Sequence, residues 1–429
     1  MVPVITRQPF WRAPCLDTII RAVLIIYIAV LPFKALLVVE RNGFLVLLGL
    51  LIAWSIANRR FFHTRTPYDM LLLIFVVWVG FTVPFAVAPL YSLQEYGKLL
   101  QHMVVFYAVI YFFKELRSRQ VLLGLIGIIA VFVTAYGLSQ FNLQNPQAVV
   151  SFFFAEVWLT TFLIMVIPFA LVLALGEGPP VVRSGGAIVA GMMLVCLLAT
   201  QSRAGLVALI GELWVVAWFI RSASAKIAAA IATVCVAAVA LLVFNEGAMP
   251  VAEVSADIVN SLPVKKGFSS VFHRFDIWSF TLSEIPEHWL VGIGYGNLSY
   301  LRLYGQGQEV VMPGHHAVTH DGTHNILLYL TLHVGLLGML LFGWFVVRVV
   351  LRTADEYRYT HDWLSKAVLL GALSSVVGLM LRLQFDQMFV GSLAVFFWVL
   401  LALAVLSYPS CNQVAGEVHA RTSGSLPEV

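Results

Sequence analysis

Charge is what this sequence has least of: 11% of its 429 residues are Asp, Glu, Lys or Arg, against about 25% in soluble domains. With 60% hydrophobic residues and a mean hydropathy of +0.91, the chain has too few polar groups for a water-covered surface, which excludes a soluble globular protein. The alternating ten-residue pattern of a membrane barrel is also missing, and an open sheet would leave backbone groups unpaired in lipid. Cysteine is scarce. Cys15, Cys196, Cys235 and Cys411 form no CxxC pair, so neither a disulfide framework nor a zinc ribbon is expected. The net charge of +4 comes without a basic run interleaved with aromatics, and nucleic acid is not an expected partner. The stretch GIGYGN, residues 292–297, lacks the strand–helix–strand context of a dinucleotide fingerprint. It reads as tight turns whose backbone N–H groups could meet an anion.

What is present is a succession of apolar runs, each near the roughly 20 residues needed to cross a bilayer. The spans are expected at roughly 17–37, 43–58, 68–88, 97–113, 120–140, 156–176, 185–200, 204–220, 227–244, 323–347, 367–384 and 388–408. The first run begins near Leu16 behind Arg7 and Arg12, lacks a small-residue cleavage site, and is expected to remain as a helix. Most Lys and Arg fall on one side if the N-terminus is cytoplasmic, which places both termini inside. The expected fold is therefore an all-α polytopic membrane protein of about twelve transmembrane helices. Residues 1–244 carry the first nine, 245–322 form one large outer loop, 323–408 carry the last three, and 409–429 form a cytoplasmic tail. The loop is too long to be structureless. Its stretch SSVFHRFDIWSFTLSEIPEHWL predicts an interfacial helix anchored by Trp278 and Trp289.

Polar groups are costly in such a chain, so each one is a candidate. A single helix over 185–220 would run about 54 Å, far beyond the hydrocarbon core. Arg183 and Arg221 also both belong inside, so TQSRAG (200–205) predicts a hairpin turn at Thr200–Arg203. Its short arms are expected to leave Arg203 recessed and partly desolvated, in need of a partner. The alternative is a snorkelling or capping arginine. In HRFDIW (273–278), Arg274 either meets an anion or pairs with Asp276 or Glu284 on a solvated face. Asp386 lies at the turn before the last span with Arg382 near it, and an aspartate there is often a cap or an ion-pair partner.

PGHHAVTHDGTHNILLYL, residues 313–330, holds His315, His316, His320 and His324 beside Asp321. The four-residue spacing of His320 and His324 invites a metal, but Gly322 and Thr323 interrupt any helix joining them and HExxH is absent. Thr323 or Asp321 is the expected N-cap of the helix that starts near His324. At that helix start the dipole and nearby arginines disfavour imidazolium, which leaves a neutral imidazole able to accept a proton. The alternative is a capping histidine.

Taken in order, TQSRAG at an outer turn, HRFDIW in one large outer loop, GIGYGN, and HNILLYL opening a late span resemble the O-antigen ligase and polymerase superfamily. The likeness is strongest over 185–340; the first five spans match only in topology. Length, loop size and the HNxxL helix start are most similar to the lipopolysaccharide O-antigen ligases. The resemblance implies a metal-independent, cofactor-free glycosyltransferase acting in the bacterial inner membrane. Its donor would be undecaprenyl-diphosphate-linked O-antigen, and its acceptor lipid A-core at the periplasmic face. It further implies that Arg203 and Arg274 hold the donor diphosphate and that His324 takes the proton of the acceptor hydroxyl. Asp386 would orient His324 or contact the acceptor, with Arg382, Asn325 and Gln201 as supporting residues. An O-antigen polymerase and a protein O-oligosaccharyltransferase would share this donor site. A transporter or flippase would instead place ionisable groups near the midplane in paired broken helices.

Overall fold

A computed structural model describes residues 14–142, 147–220, 223, 226–227, 229–231, 233–234, 263–305, 309–310, 318–319, 322–387 and 391–409. In chain order the helices are α1 (Pro14–Val30), α2 (Leu37–Asn58), α3 (Asp69–Thr82), α4 (Pro89–Phe112), α5 (Leu116–Ser139), α6 (Glu156–Leu175) and α7 (Pro180–Ala199). They continue with α8 (Arg203–Ile220), α9 (Pro263–His288), α10 (Asn297–Tyr304), α11 (Ile326–Tyr359), α12 (Trp363–Arg382) and α13 (Gly391–Leu406). A two-residue antiparallel ladder, Glu309–Val310 with Val318–Thr319, is the strand structure among the described residues.

Seven described helices are long and apolar enough to cross a membrane: α2 with its lead from Lys34, α5, α6, α7, α8, α11 and α12. Shorter apolar helices cover Asp69–Phe85 and α13. Helices α1 and α4 lie at the first and fourth expected spans. The expected ninth span, 227–244, and the loop start, 245–262, fall largely outside the described residues, as does the tail from 410. The stretch with the interfacial pattern is helical as α9, with Trp278 half-buried in it and Trp289 exposed just past its end.

Helices α6, α12 and α13 form the centre and are buried over most of their length. In a bilayer, helices gain little from expelling apolar surface, so close packing through small residues decides which ones pair. Gly371 of α12 lets Phe169 of α6 approach: a Cβ there would sit 2.6 Å from the ring. Gly378 faces Glu212 of α8 in the same way, at 2.1 Å.

Helix α11 differs from expectation at both ends and in the middle. It begins at Ile326 and runs on to Tyr359 rather than 347, because its polar last turns gain an internal ion pair between Arg352 and Glu356. It also breaks at Gly335, whose φ of 77° is non-helical. The carbonyls freed by that break are met by the GIGYGN segment. Ile293 N donates to Leu332 O at 2.8 Å and Gly294 N to His333 O at 3.0 Å, while Leu336 N donates to Trp289 O at 2.8 Å. Trp78 Nε1 takes the Val334 carbonyl at 2.8 Å. Gly292 N is bonded to His288 O at 2.9 Å. The N–H groups of residues 292–294 therefore serve this seam and are not open to an anion.

Candidate functional site

The start of α6, the α7–α8 turn, α9, the approach to α11 and the end of α12 converge at one end of the bundle. The expected hairpin is present: α7 stops at Ala199, Thr200 N bonds back to Cys196 O at 3.1 Å, and Gln201 turns the chain with φ 55°. Ser202 Oγ then accepts from Gly205 N at 3.2 Å, which makes Arg203 the first residue of α8. Thr160 of α6 ties this corner in by donating to Thr200 Oγ1 at 3.1 Å.

Arg203 is exposed rather than recessed. The reason is helix length. Helix α7 starts at Pro180, so the arms have 20 and 18 residues, about 30 and 27 Å, near the full hydrocarbon thickness. The desolvated cation is Arg382 at the end of α12, only 2% exposed. Its Nη2 donates to Asp386 Oδ2 at 3.3 Å and to Val157 O at 3.4 Å, and its other charged neighbours are Arg274 and Glu156. Its Nε has no partner among the described residues.

Arg274 is half-buried in α9. Burial lowers its pKa from the ordinary guanidinium value; the Asp386 carboxylate opposes that shift and the Arg203 cation adds to it. The guanidinium groups of Arg274 and Arg382, from α9 and α12, thus share the buried carboxylate of Asp386, and Arg203 at the head of α8 adds its charge on the Arg274 side. That cluster can bind an anion carrying more than one charge.

His324 lies on a short strap, residues 322–325, stapled to the segment after α12. Gln387 Oε1 accepts from Thr323 Oγ1 at 2.6 Å and from His324 N at 2.8 Å. Asn325 Nδ2 donates to Gln384 O at 3.1 Å, and Ile326 N to Leu383 O at 2.9 Å. The N-cap of α11 is Asn325, not Thr323 or Asp321: its Oδ1 accepts from Leu327 N at 2.9 Å and Leu328 N at 3.1 Å. The cap moves because His324 takes a left-handed conformation, φ 47°, that reverses the chain before an extended Asn325. Strain of that kind in a non-glycine residue persists only where its surroundings hold it, commonly at functional sites. His315, His316, His320 and Asp321 lie outside the described residues. Among those described, the group able to hold a metal is Glu284, Glu287 and His288 on α9.

Two sets of residues escape sequence reasoning. Gln384 and Gln387 hold the strap from about sixty positions away, and nothing local in their sequence signals it. Behind the strap lies a cavity of about 220 Å³ lined by Tyr91, Glu95, Lys98, His102, Tyr295 and Gln387, among others. Here a signal exists: Glu95, Lys98 and His102 follow at spacings of three and four, on one face of α4.

Among curated proteins nothing matches the chain. Residues 188–343 match the family described as O-antigen ligase. That segment holds the α7–α8 turn with Arg203, α9 with Arg274, the GIGYGN seam and the His324 strap, whereas Arg382 and Asp386 follow it. Over this segment, about a third of its length, the chain is similar to the O-antigen ligase family.

Proposed function

We propose that this protein is an O-antigen ligase, an inverting, metal-independent glycosyltransferase. It moves O-antigen glycan from undecaprenyl diphosphate to a sugar hydroxyl of lipid A-core, at the periplasmic face of the inner membrane. The observation that carries this reading is the placing of Arg274 and Arg382 about Asp386, with Arg203 beside Arg274 and the His324 strap fastened to the same 383–387 segment.

His324 accepts the proton of the acceptor hydroxyl, and the freed oxygen attacks the anomeric carbon of the donor sugar. The bond from that carbon to the diphosphate oxygen breaks, and the diphosphate leaves with the electron pair. Charge grows on it as it leaves, so contacts from Arg203 and Arg274 strengthen in the transition state, which is where binding accelerates reaction. The planar guanidinium fork suits paired phosphate oxygens. Asp386 keeps Arg382 and its neighbours in register. The donor is already activated, so no nucleotide is required.

A lipopolysaccharide gel of a deletion strain tests the reading. Bare core with accumulated lipid-linked polymer is expected. Core bearing a single repeat would instead identify an O-antigen polymerase. An unchanged ladder would point to a protein acceptor or a transporter.

A further inference from the structure

A large cavity lies at the other end of the bundle from the arginine cluster. It measures about 1090 Å³ and sits where α6 and α8 end, α7 and α12 begin, and α11 stops. Arg183, Lys226, Arg358 and Lys366 line it, and Glu177 is the one carboxylate among its described lining residues. Glu177 is engaged by Lys366 at 3.2 Å and Arg358 pairs with Asp355 at 3.5 Å, which leaves the charges of Arg183 and Lys226 in excess. Trp218, Phe219 and Trp363 also line it, as aromatics do at the boundary between lipid and water.

Cations at one end of a membrane bundle can reflect orientation alone. What orientation does not require is their convergence on a cavity, or that cavity's continuation into the apolar layer. A second cavity, about 700 Å³ and almost wholly apolar, shares Leu173 and Ala367 with the first. Along α7 it is lined from Val182 to Met193, about 16 Å of helix, or roughly one leaflet of a ~30 Å core. Its α5 and α7 walls include Gly124, Gly127 and Gly185, and a Cβ added at any of them would meet nothing within 4 Å. The groove is open at these glycines, unlike Gly186 beside them, which packs against the α6 backbone.

We infer that this end of the bundle holds an anionic phospholipid. Its phosphate sits among Arg183, Lys226, Arg358 and Lys366, and one acyl chain lies in the groove between α5 and α7. The headgroup cavity supplies charge and the groove supplies apolar length along the same helices, a combination that fits a lipid better than a free anion. The site is distinct from the transfer chemistry and stands whether or not that reading holds.

The test uses the full chain, purified, delipidated in detergent and exposed to micelles of phosphatidylglycerol or phosphatidylcholine. Native mass spectrometry reads retained lipid, and a thermal melt reads stabilisation. One phosphatidylglycerol is expected to be retained and to raise the midpoint, with phosphatidylcholine retained far less. Arg183→Gln combined with Lys366→Gln is expected to weaken retention by about thirtyfold, given the worth of each basic residue near an anionic lipid. Gly127→Leu, which fills the groove, is expected to lose the lipid while keeping the lipid-free midpoint. Equal retention by wild type and both variants would overturn the site, as would an equal rise in midpoint from inorganic phosphate alone.

Discussion

The amide of His324 donates to Oε1 of Gln387 at 2.8 Å, so the candidate base is set by the residue that follows the buried carboxylate Asp386. The two halves of the site are therefore mechanically one. Whatever moves the 383–387 segment moves both the partner of Arg382 and the strap that carries the imidazole.

Gln387→Ala removes both strap bonds, each worth about 0.5–1.5 kcal/mol, and touches no group assigned to the chemistry. The expected result is normal membrane insertion with kcat down by about 100-fold, the scale of a 1 Å misplacement. Gln387→Glu retains the acceptor oxygen and should recover most of the rate. A reconstituted transfer assay reads both, and an undiminished kcat in the alanine variant would show that the strap stands without Gln387.

His324→Asn separates backbone from imidazole. Asparagine tolerates the left-handed conformation at φ 47° better than most residues, so the strap should keep its path. Transfer should nonetheless fall by about 10²–10⁴-fold, the worth of a general base. Activity within a few-fold of wild type would remove His324 from the proton-transfer role.

Arg203→Lys keeps the charge at the head of α8 but loses the planar fork that pairs phosphate oxygens. Transfer is expected to be severely impaired, and more so at limiting donor than at saturation. Full activity with lysine would argue for a point-charge role.

Much of this architecture is legible in the sequence, for reasons that differ by element. The α7–α8 hairpin follows from a 36-residue apolar run that is too long for one crossing and has Arg183 and Arg221 beyond its two ends. Helix α9 follows from aromatic and polar positions interleaved at helical spacing. The break at Gly335 is hidden because hydropathy stays high across it, and only the facing GIGYGN backbone makes it affordable. The cap at Asn325 is not legible because Asp321, Thr323 and Asn325 are all good cap residues, and the left-handed turn at His324 that selects among them leaves no local signature. The desolvation expected at Arg203 belongs to Arg382, since exposure depends on where α7 starts, and the polar approach to Pro180 hides that start.

Asp386→Asn should act mainly through Arg382. The pair is buried, with Arg382 2% and Asp386 9% exposed, and losing one partner of a buried pair costs about 3–5 kcal/mol. A large drop in melting midpoint is expected together with lost transfer. The double variant Arg382→Met with Asp386→Leu removes both charges at similar volume, which is often near neutral for stability. It should regain the midpoint but not the activity. If the double variant also transferred glycan, neither residue would belong to the donor site.

The seam between GIGYGN and α11 makes a prediction far from the arginines. Gly335→Ala would place a Cβ 2.0 Å from Leu290 O in a residue held at φ 77°. Either the break straightens into helix or the Leu290–Gly294 backbone is pushed off Leu332 and His333. Both outcomes strand buried backbone groups that are now paired, at about 1–3 kcal/mol for each unsatisfied group. Both also shift the short helix Ile326–Val334, whose cap residue Asn325 adjoins His324. The variant should therefore melt lower and transfer less, although it touches no residue of the site. Gly343→Ala is the control, on the same helix with nothing within 4 Å of its added Cβ. There alanine gains about 1 kcal/mol of helix propensity, so the midpoint should hold or rise with activity intact. Equal behaviour of the two variants would show that the break at Gly335 is not what positions the strap.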